Sequence, residues 1–163
     1  MFWQPGYAVA LALNIIGWAA AHAGTGYAVH RIDRRHFESD TWLTRIRPWE
    51  QSGRMYRFLR VPRWKDRLPE AGALFAGGVS KRNLPGTSAP ALRLLLAETR
   101  RAEWGHWSCM LCAPLFALWN PLPVAAIMVA YGLAVNLPFI VIQRWNRLRL
   151  QRVLARFESR RVR

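Results

Sequence analysis

The sequence predicts an all-α membrane protein with one N-terminal transmembrane helix, a C-terminal transmembrane hairpin and a basic membrane-surface segment between them. Two observations carry this prediction: long stretches lack any charged residue, and every basic residue lies outside those stretches. The chain has 163 residues, of which 52% are hydrophobic, and a formal net charge of +15. This length suits one folded unit. The apolar content excludes a disordered basic tail, and the uncharged stretches exclude an ordinary soluble enzyme.

The first uncharged stretch runs from Tyr7 to Val29 and is long enough to cross the hydrocarbon layer as one helix. Aromatic residues near both of its ends suit the membrane interfaces. A cleaved signal peptide is the competing interpretation, because Ala21-His22-Ala23 resembles a small-residue cleavage site. The residues before the stretch carry no basic side chain, which favours a retained transmembrane helix within residues 1–30.

The second uncharged stretch, residues 107–142, is too long for a single membrane helix. The run Trp119-Asn120-Pro121-Leu122-Pro123 divides it and predicts a turn. We therefore expect a hairpin with one arm from about Trp104 to Trp119 and the other from about Val124 to Ile142. The first arm is short for a full crossing, so it is either re-entrant or the end of a longer helix.

The sequence before the first arm favours the longer helix. Pro90 follows Ser88, which is typical of the first turn of a helix, and no stop signal occurs before the arm. A kink is expected at Pro114. Residues 89–150 are thus predicted to form a helix and a transmembrane hairpin, and residues 151–163 a basic cytoplasmic tail.

The basic residues determine the predicted orientation in the membrane. Of the 24 Lys and Arg residues, 16 lie between Arg31 and Arg101 and 8 lie between Arg144 and Arg163. Both blocks lie on one side of the membrane whether the hairpin spans or is re-entrant, and the positive-inside rule makes that side cytoplasmic. We predict a multi-pass protein of the cell membrane with its N-terminus outside.

The segment of residues 31–88 interleaves arginine with tryptophan, tyrosine and phenylalanine. Such a surface can hold nucleic acid, but beside membrane helices it better suits anionic lipid headgroups, with about 1 kcal/mol for each cation. Membrane lipids are therefore the expected partners, and nucleic acid is not. The glycine loop before Lys81 and Arg82 lacks P-loop spacing, so a solvated turn is favoured over a phosphate site.

The sequence shows no pattern of a covalent or metal-dependent enzyme. It has no Gly-x-Ser-x-Gly motif, and no polar histidine suited to nucleophilic chemistry is near a cysteine in the sequence. Cys109 and Cys112 have the spacing of half a zinc site, but nothing supplies the other half. Inside an apolar helix they are expected to be small buried residues. We predict neither a metal nor a cofactor.

Glu103 and His106 are three residues apart and share one face of the predicted helix. A carboxylate beside an imidazole raises its basicity and selects its tautomer, as a general base requires. In the alternative arrangement Glu103 pairs with Arg100, and His106 only forms a hydrogen bond at the membrane interface. The spacing does not decide between the two.

The hairpin register brings His106 close to a second polar residue. With the turn centred on Asn120-Pro121, residues at equal depth have numbers that sum to about 241, to within a helical turn. His106 then lies opposite Val135, next to Asn136. A lone asparagine in an apolar arm is costly unless it has a partner or a function. We therefore expect a polar site formed by His106 and Asn136 just below the cytoplasmic surface.

Other polar residues of the helices are expected to hold the fold together. The same register places Glu98 opposite Gln143 and Arg144, which predicts a charge pair. Polar groups also recur at every fourth residue of the first helix, and we expect them to bond to neighbouring helices rather than line a cavity. They are Asn14, Trp18 and His22.

Several short runs together resemble one protein family. They are WKDRLP at 64–69, SKRNL at 80–84, ETRRAE at 98–103 followed by His106-Trp107, and NLP at 136–138 followed by QRWNRLRL at 143–150. These runs resemble the glycosyl-4,4'-diaponeurosporenoate acyltransferase family of staphyloxanthin-type carotenoid biosynthesis. The resemblance extends over roughly residues 40–155. Trp145 stands where the family carries tyrosine.

The resemblance implies an enzyme that moves a fatty acyl group from an acyl thioester to a sugar hydroxyl of a glycosylated carotenoid or similar glycolipid. His106 would remove the hydroxyl proton, Glu103 would orient the imidazole, and Asn136 or Asn146 would donate to the oxyanion. Direct attack by the hydroxyl suits the missing nucleophile. The residues expected to bind the substrates are Lys65, Lys81, Arg82, Arg100, Arg101, Arg144 and Asn146.

A rival hypothesis is a non-enzymatic accessory or assembly subunit of an envelope or pigment pathway. Its polar membrane residues would stabilise helix contacts, and its arginines would hold lipid. The glycolipid acceptor and other enzymes of the pathway are further candidate partners. A His106→Ala variant distinguishes the two hypotheses, because only an enzyme of the expected mechanism loses acyl transfer while it stays folded.

Overall fold

The computed structural model describes residues 5–68 and 88–161. Within these ranges the chain is helical and has no strand, so the all-α prediction is confirmed. The α-helices are α1 (Tyr7–Arg31), α2 (Arg54–Phe58), α3 (Val61–Trp64), α4 (Ala89–Leu111) and α5 (Leu122–Arg161). Short 3-10 helices occupy Arg34–Phe37, Pro48–Glu50, Lys65–Arg67 and Ala113–Leu118.

Helices α1 and α5 are the two described helices that are long and apolar enough to cross a membrane. Only 6% of the apolar window of α1 and 28% of that of α5 is buried inside the protein. The core helix of a soluble protein would bury this surface, whereas lipid can cover it. The outward apolar surface therefore agrees with membrane association.

Helix α4 begins where the sequence predicts and ends earlier than expected. The Ser88 side chain caps its first turn, and Pro90 lies within that turn, so the predicted helix start is confirmed. The helix ends at Leu111, and Ala113–Leu118 forms a 3-10 helix. The predicted kink at Pro114 is wrong: proline has no N–H to continue an α-helix, and the chain changes to the tighter 3-10 form instead.

Helices α4 and α5 pack against each other in opposite directions. His106 contacts Asn136 near the apolar end, and Arg93 contacts Glu158 at 2.8 Å near the other end. Helix α5 includes Pro138 and continues as far as the structure describes the C-terminal region. The basic residues from 151 to 161 therefore extend α5 as a helix, beyond the predicted end of the second arm.

Helix α1 lies against α4 and the following 3-10 helix through polar and aromatic contacts. The side-chain amides of Asn14 and Asn120 exchange two hydrogen bonds, of 3.2 and 2.7 Å. One turn further along, Trp18 stacks on Phe116 with ring centroids 4.8 Å apart. The prediction that the polar face of α1 bonds to neighbouring helices is confirmed.

The described part of the basic segment is a packed unit as well as a surface. Ile46, Tyr56 and Val61 form a buried cluster with residues of α5, among them Ile142 and Trp145. The segment predicted to lie at the membrane surface thus also packs against α5. Pattern alone does not show which aromatic residues find a partner on α5. Three that remain exposed are Trp42, Trp49 and Phe58.

Candidate active site between helices α4 and α5

A hydrogen bond joins the imidazole of His106 on α4 to the amide of Asn136 on α5. The distance from Nδ1 to Oδ1 is 2.9 Å. The Asn136 Nδ2 donates to the carbonyl oxygen of Gly132 at 2.9 Å, so its Oδ1 must be the acceptor in the bond to the ring. Nδ1 therefore carries the proton, and the lone pair of the neutral ring is on Nε2. The predicted contact between these two residues is confirmed.

An aromatic ring also packs against the face of the His106 imidazole. The Phe139 ring stacks on it with centroids 4.9 Å apart and an angle of 9° between the planes. His106 itself is half-buried, whereas Asn136 is fully buried. A stacked ring and a buried amide together restrict rotation of the imidazole, so Nε2 keeps one direction. This is the geometry that a general base requires.

Glu103, one turn from His106, accepts hydrogen bonds from two arginines of α5. Its Oε1 accepts a 2.7 Å hydrogen bond from Nη1 of Arg144, and its Oε2 accepts one from Nη2 of Arg147. The expectation that Glu103 orients the imidazole is therefore wrong, and the imidazole bonds to Asn136 instead. The physical reason is burial: a carboxylate that is 0% exposed needs opposite charge next to it, and long arginine side chains supply that charge.

Arg144 connects α4, α5 and the basic segment. Its guanidinium donates to both oxygens of Glu50, at 2.8 and 2.6 Å, in addition to its bond with Glu103. Two carboxylates and two guanidiniums thus meet in a nearly closed site, which we call the paired-charge cluster. It consists of Glu50, Glu103, Arg144 and Arg147.

The hydrogen bonds of the paired-charge cluster shift the ionisation of Glu50. Burial by itself raises the pKa of this carboxyl, but hydrogen bonds from Arg144, from the Tyr56 hydroxyl and from the main chain of Arg47 outweigh it. The pKa of Glu50 is therefore lower than its usual value. Burial, together with the same carboxylate, raises the pKa of the Tyr56 hydroxyl, which remains a donor.

The structure gives two of the predicted substrate-binding arginines a different role. Arg100 is buried, and its Nε donates to Asp40 at 2.6 Å, while Arg144 belongs to the paired-charge cluster. Both hold the basic segment on α4 and α5. Glu98 pairs with Arg101 of its own helix at 2.9 Å, so the predicted pairing of Glu98 with Arg144 is wrong. The long side chain of Arg144 instead extends along the helices to the buried carboxylate of Glu103.

The remaining predicted substrate-binding residues lie further from His106. Lys65 contacts the neighbouring Asp66. Asn146 is half-buried, ten residues beyond Asn136 on α5, which is about 15 Å along the helix axis. It is therefore too far away to donate to an oxyanion beside His106, and that expectation is wrong. Lys81 and Arg82 lie outside the described residues.

Sequence reasoning missed Glu50, Arg147 and a second polar contact, between α1 and α4. The Nδ1 of His22 on α1 lies 3.4 Å from Sγ of Cys109 on α4. Arg147 follows Arg144 by three residues, a spacing that could have indicated a shared face. The partners of Glu50 and Cys109 are 94 and 87 residues away along the chain, so no local pattern indicates them.

The described residues include no group of three or more His, Cys, Asp or Glu side chains arranged to hold a metal ion.

Comparison with known proteins identifies the family. The sequence model of the glycosyl-4,4'-diaponeurosporenoate acyltransferases matches residues 39–156, which include all of the paired-charge cluster and both His106 and Asn136. The chain belongs to this family. The predicted resemblance is thereby confirmed, and the name of the family is that of an acyltransferase.

Individual relatives carry the same name. A glycosyl-4,4'-diaponeurosporenoate acyltransferase of Staphylococcus haemolyticus strain JCSC1435 is 32% identical over 108 residues, which are 66% of this chain and 63% of that protein. One of Staphylococcus aureus strain USA300 is 27% identical over 125 residues, or 76% of this chain and 75% of that protein. The match thus spans less than two thirds of the S. haemolyticus relative. No solved structure matches the chain significantly.

Proposed function

We propose that the protein is a membrane acyltransferase that moves a fatty acyl group from an acyl thioester to a sugar hydroxyl of a glycosylated carotenoid or similar glycolipid. Family membership supports the reaction class. The observation that carries the mechanism is the bond from Nδ1 of His106 to Oδ1 of Asn136, because it leaves the basic lone pair on Nε2. In this proposal His106 is the general base and Asn136 is a positioning residue.

In the proposed reaction, Nε2 of His106 takes the proton of the sugar hydroxyl while the hydroxyl oxygen attacks the acyl carbonyl. The imidazolium keeps its Nδ1–H bond to Asn136 throughout. When the tetrahedral intermediate collapses, the proton moves from Nε2 to the departing sulfur. The ester forms, the thioester breaks and the imidazole returns to its neutral tautomer. The reaction as proposed needs no metal and no cofactor other than the acyl thioester co-substrate.

The paired-charge cluster supports this site indirectly. The charges of its two glutamates and two arginines balance, so the cluster adds little net field at the imidazole. Glu103 and His106 are three residues apart, which places the cluster about 4.5 Å further toward the basic end of α4. The cluster thus holds α4, α5 and the basic segment together at one end of the proposed site.

We further propose that the hairpin crosses the membrane with its basic ends in the cytoplasm and the N-terminus outside. The part of α4 from Trp104 to Leu111, together with the 3-10 helix Ala113–Leu118, has a length of about 24 Å, close to the hydrocarbon thickness of about 30 Å. His106 then lies near the cytoplasmic surface. An acyl chain and a glycolipid both prefer the bilayer, so a shallow site can receive both.

The phosphates of a soluble acyl thioester would meet the basic residues that remain at this surface. Arg101 is one of these residues, and its guanidinium also donates to Glu98. Lys65, Lys81 and Arg82 are the other proposed contacts. Membrane lipids and other enzymes of the pathway are the proposed partners, and nucleic acid is not among them.

A single substitution tests the mechanism. We expect His106→Ala, in protein reconstituted into liposomes with palmitoyl-CoA and a glycosylated carotenoid acid, to slow ester formation by a factor of about 10²–10⁴. His36→Ala is the matched control, because His36 is exposed and its ring bonds to the main chain of Asp33. Both variants should remain folded. Wild-type turnover in folded His106→Ala would refute the proposed mechanism.

A further inference from the structure

Cys109 lies on the same face of α4 as His106, three residues further into the apolar end. Its thiol is almost completely buried, and Sγ is 3.4 Å from Nδ1 of His22 on α1. A thiol at this distance donates its proton to an imidazole nitrogen that carries a lone pair. No local pattern places His22 beside a cysteine, because it approaches Cys109 only through the packing of α1 on α4.

Cys112 shows what a cysteine without this arrangement does. Its thiol donates to the carbonyl oxygen of Ser108, one turn back in the same helix, at 3.5 Å. That contact is the common one for a cysteine in an apolar helix. Cys109 differs from it in having an imidazole from another helix within hydrogen-bond distance of its thiol, so a base is positioned to take the thiol proton during attack.

A third group beside this pair has a donor without an acceptor. The indole of Trp18 is 6% exposed, and its Nε1 has no hydrogen-bond partner within the described residues. Its ring centroid lies 5.7 Å from that of His22. A buried N–H without an acceptor is costly in an apolar environment, and the carbonyl oxygen of a bound acyl group would satisfy it.

We propose that Cys109 carries the fatty acyl group between donor and acceptor as a thioester, with His22 as its proton partner and the Trp18 indole as a donor to the acyl carbonyl. This inference rests on the proposed function and divides its reaction into two stages. In the first, Cys109 Sγ attacks the carbonyl of the acyl thioester, and His22 passes the thiol proton to the departing sulfur. One thioester is exchanged for another, so no oxidant or reductant is needed.

In the second stage the sugar hydroxyl attacks the Cys109 thioester. Nε2 of His106 takes the hydroxyl proton, an ester bond forms, and the bond from the acyl carbon to Sγ breaks. The proton finally returns to the sulfur, which restores the thiol of Cys109. The two side chains are separated by about 4.5 Å along α4, so the hydroxyl activated by His106 and the thioester can meet.

Burial of Cys109 suits this sequence of events. A thioester inside the apolar part of the protein is shielded from hydrolysis, and its acyl chain remains in the hydrocarbon layer. The soluble donor can leave before the glycolipid acceptor arrives, so the two large substrates use the site in turn.

The test is acyl labelling of the full-length protein in liposomes with radiolabelled palmitoyl-CoA and without an acceptor. We expect up to one label per chain, released by neutral hydroxylamine as a thioester is. Cys109→Ala should abolish the label, and Cys112→Ala, the matched control, should keep it. His22→Gln and Trp18→Phe, which remove the proton partner and the indole N–H, should each slow labelling by about tenfold or more.

A chase with glycosylated acceptor separates this inference from the proposed function. His106→Ala should still be labelled at Cys109, but the label should not move to the acceptor. Wild-type ester formation by folded Cys109→Ala, an unlabelled but active wild type, or equal labelling of Cys109 and Cys112 would overturn the inference and leave direct transfer intact. Absence of ester formation by the wild type with any acyl thioester would instead refute the proposed function.

Discussion

Arg147 of α5 and Glu103 of α4 form an ion pair in which both side chains are 0% exposed. The same carboxylate accepts from Arg144, which in turn holds Glu50 of the basic segment. Charges removed from water to this extent cost several kcal/mol each unless they are paired. Three parts of the chain that are distant in sequence thus depend on one another at a single point.

The first prediction concerns the energy of this pair. We expect Arg147→Ala to lower the free energy of unfolding by about 3–5 kcal/mol, because it leaves Glu103 with a single arginine in a buried site. Thermal unfolding in detergent measures the change. Arg93→Ala is the control, since its pair with Glu158 is exposed and should contribute less than about 1 kcal/mol.

A double variant tests whether burial of charge is the cause. Arg147 also has two buried donor nitrogens, Nε and Nη1, without acceptors among the described residues. Replacement of both partners, as in Glu103→Gln with Arg147→Met, should therefore restore part of the stability that Arg147→Ala loses. If this double variant is less stable than Glu103→Gln alone and Arg147→Met alone, burial of an unpaired charge is not the main cause of the loss.

The second prediction concerns acid stability. The pKa of Glu50 is lower in the folded protein than its usual value of 4.5, so the unfolded chain takes up a proton first as the pH falls. Its contribution to stability is fully present above pH 4.5 and is lost as the pH falls through the lower folded pKa. Acid titration of unfolding, followed by circular dichroism, should show this loss in the wild type and a weaker pH dependence in Glu50→Gln.

Tyr56→Phe provides a second test of the pKa of the Glu50 carboxyl. The hydroxyl of Tyr56 donates to Glu50 and helps to lower its pKa. Its removal should raise the folded pKa of Glu50 toward 4.5, so that the pH-dependent contribution of this carboxylate is smaller than in the wild type and its loss is complete at a higher pH. Glu158→Gln, at an exposed position, should leave the acid transition where it is. An unchanged transition in Tyr56→Phe would contradict the assignment to Glu50.

The third prediction concerns the tautomer of His106. Asn136→Leu removes the acceptor of the Nδ1 proton, so both tautomers become populated and the ring loses its direction. We expect kcat to fall by about 10–100-fold, with a smaller effect on KM for the acyl donor. Asn136→Asp keeps an acceptor and adds a charge, so it should shift the pH profile of kcat upward. A purely structural role would leave the pH profile of both variants unchanged.

The fourth prediction concerns the contact between α1 and the turn before α5. Asn14→Leu leaves the buried amide of Asn120 and the indole N–H of Trp119 without their shared partner. Each such loss costs about 1–3 kcal/mol. We expect a clear decrease in thermal stability in detergent. Ile15→Leu, at an exposed position of the same helix, is the control and should change little.

Local rules were enough to predict the helical class, the apolar helices, the start of α4 and the contact of His106 with Asn136. The lengths of the uncharged stretches match the thickness of a membrane, and Ser88 and Pro90 are typical of a helix start. The rise per residue is the same in both arms, so counting from the turn shows which residues lie opposite each other. The register therefore remained accurate near the turn, where few residues separate the arms.

The pairing of the buried polar groups, in contrast, depends on how the helices pack. Glu103 turns to Arg144 and Arg147 rather than to its neighbour in the helix, Glu50 arrives from a distant segment, and His22 reaches Cys109 through the packing of α1. The physical reason is that a buried charge or donor takes whichever partner the whole fold brings to it, and long side chains reach across helices. Spacing within one helix limits these partners but does not select among them.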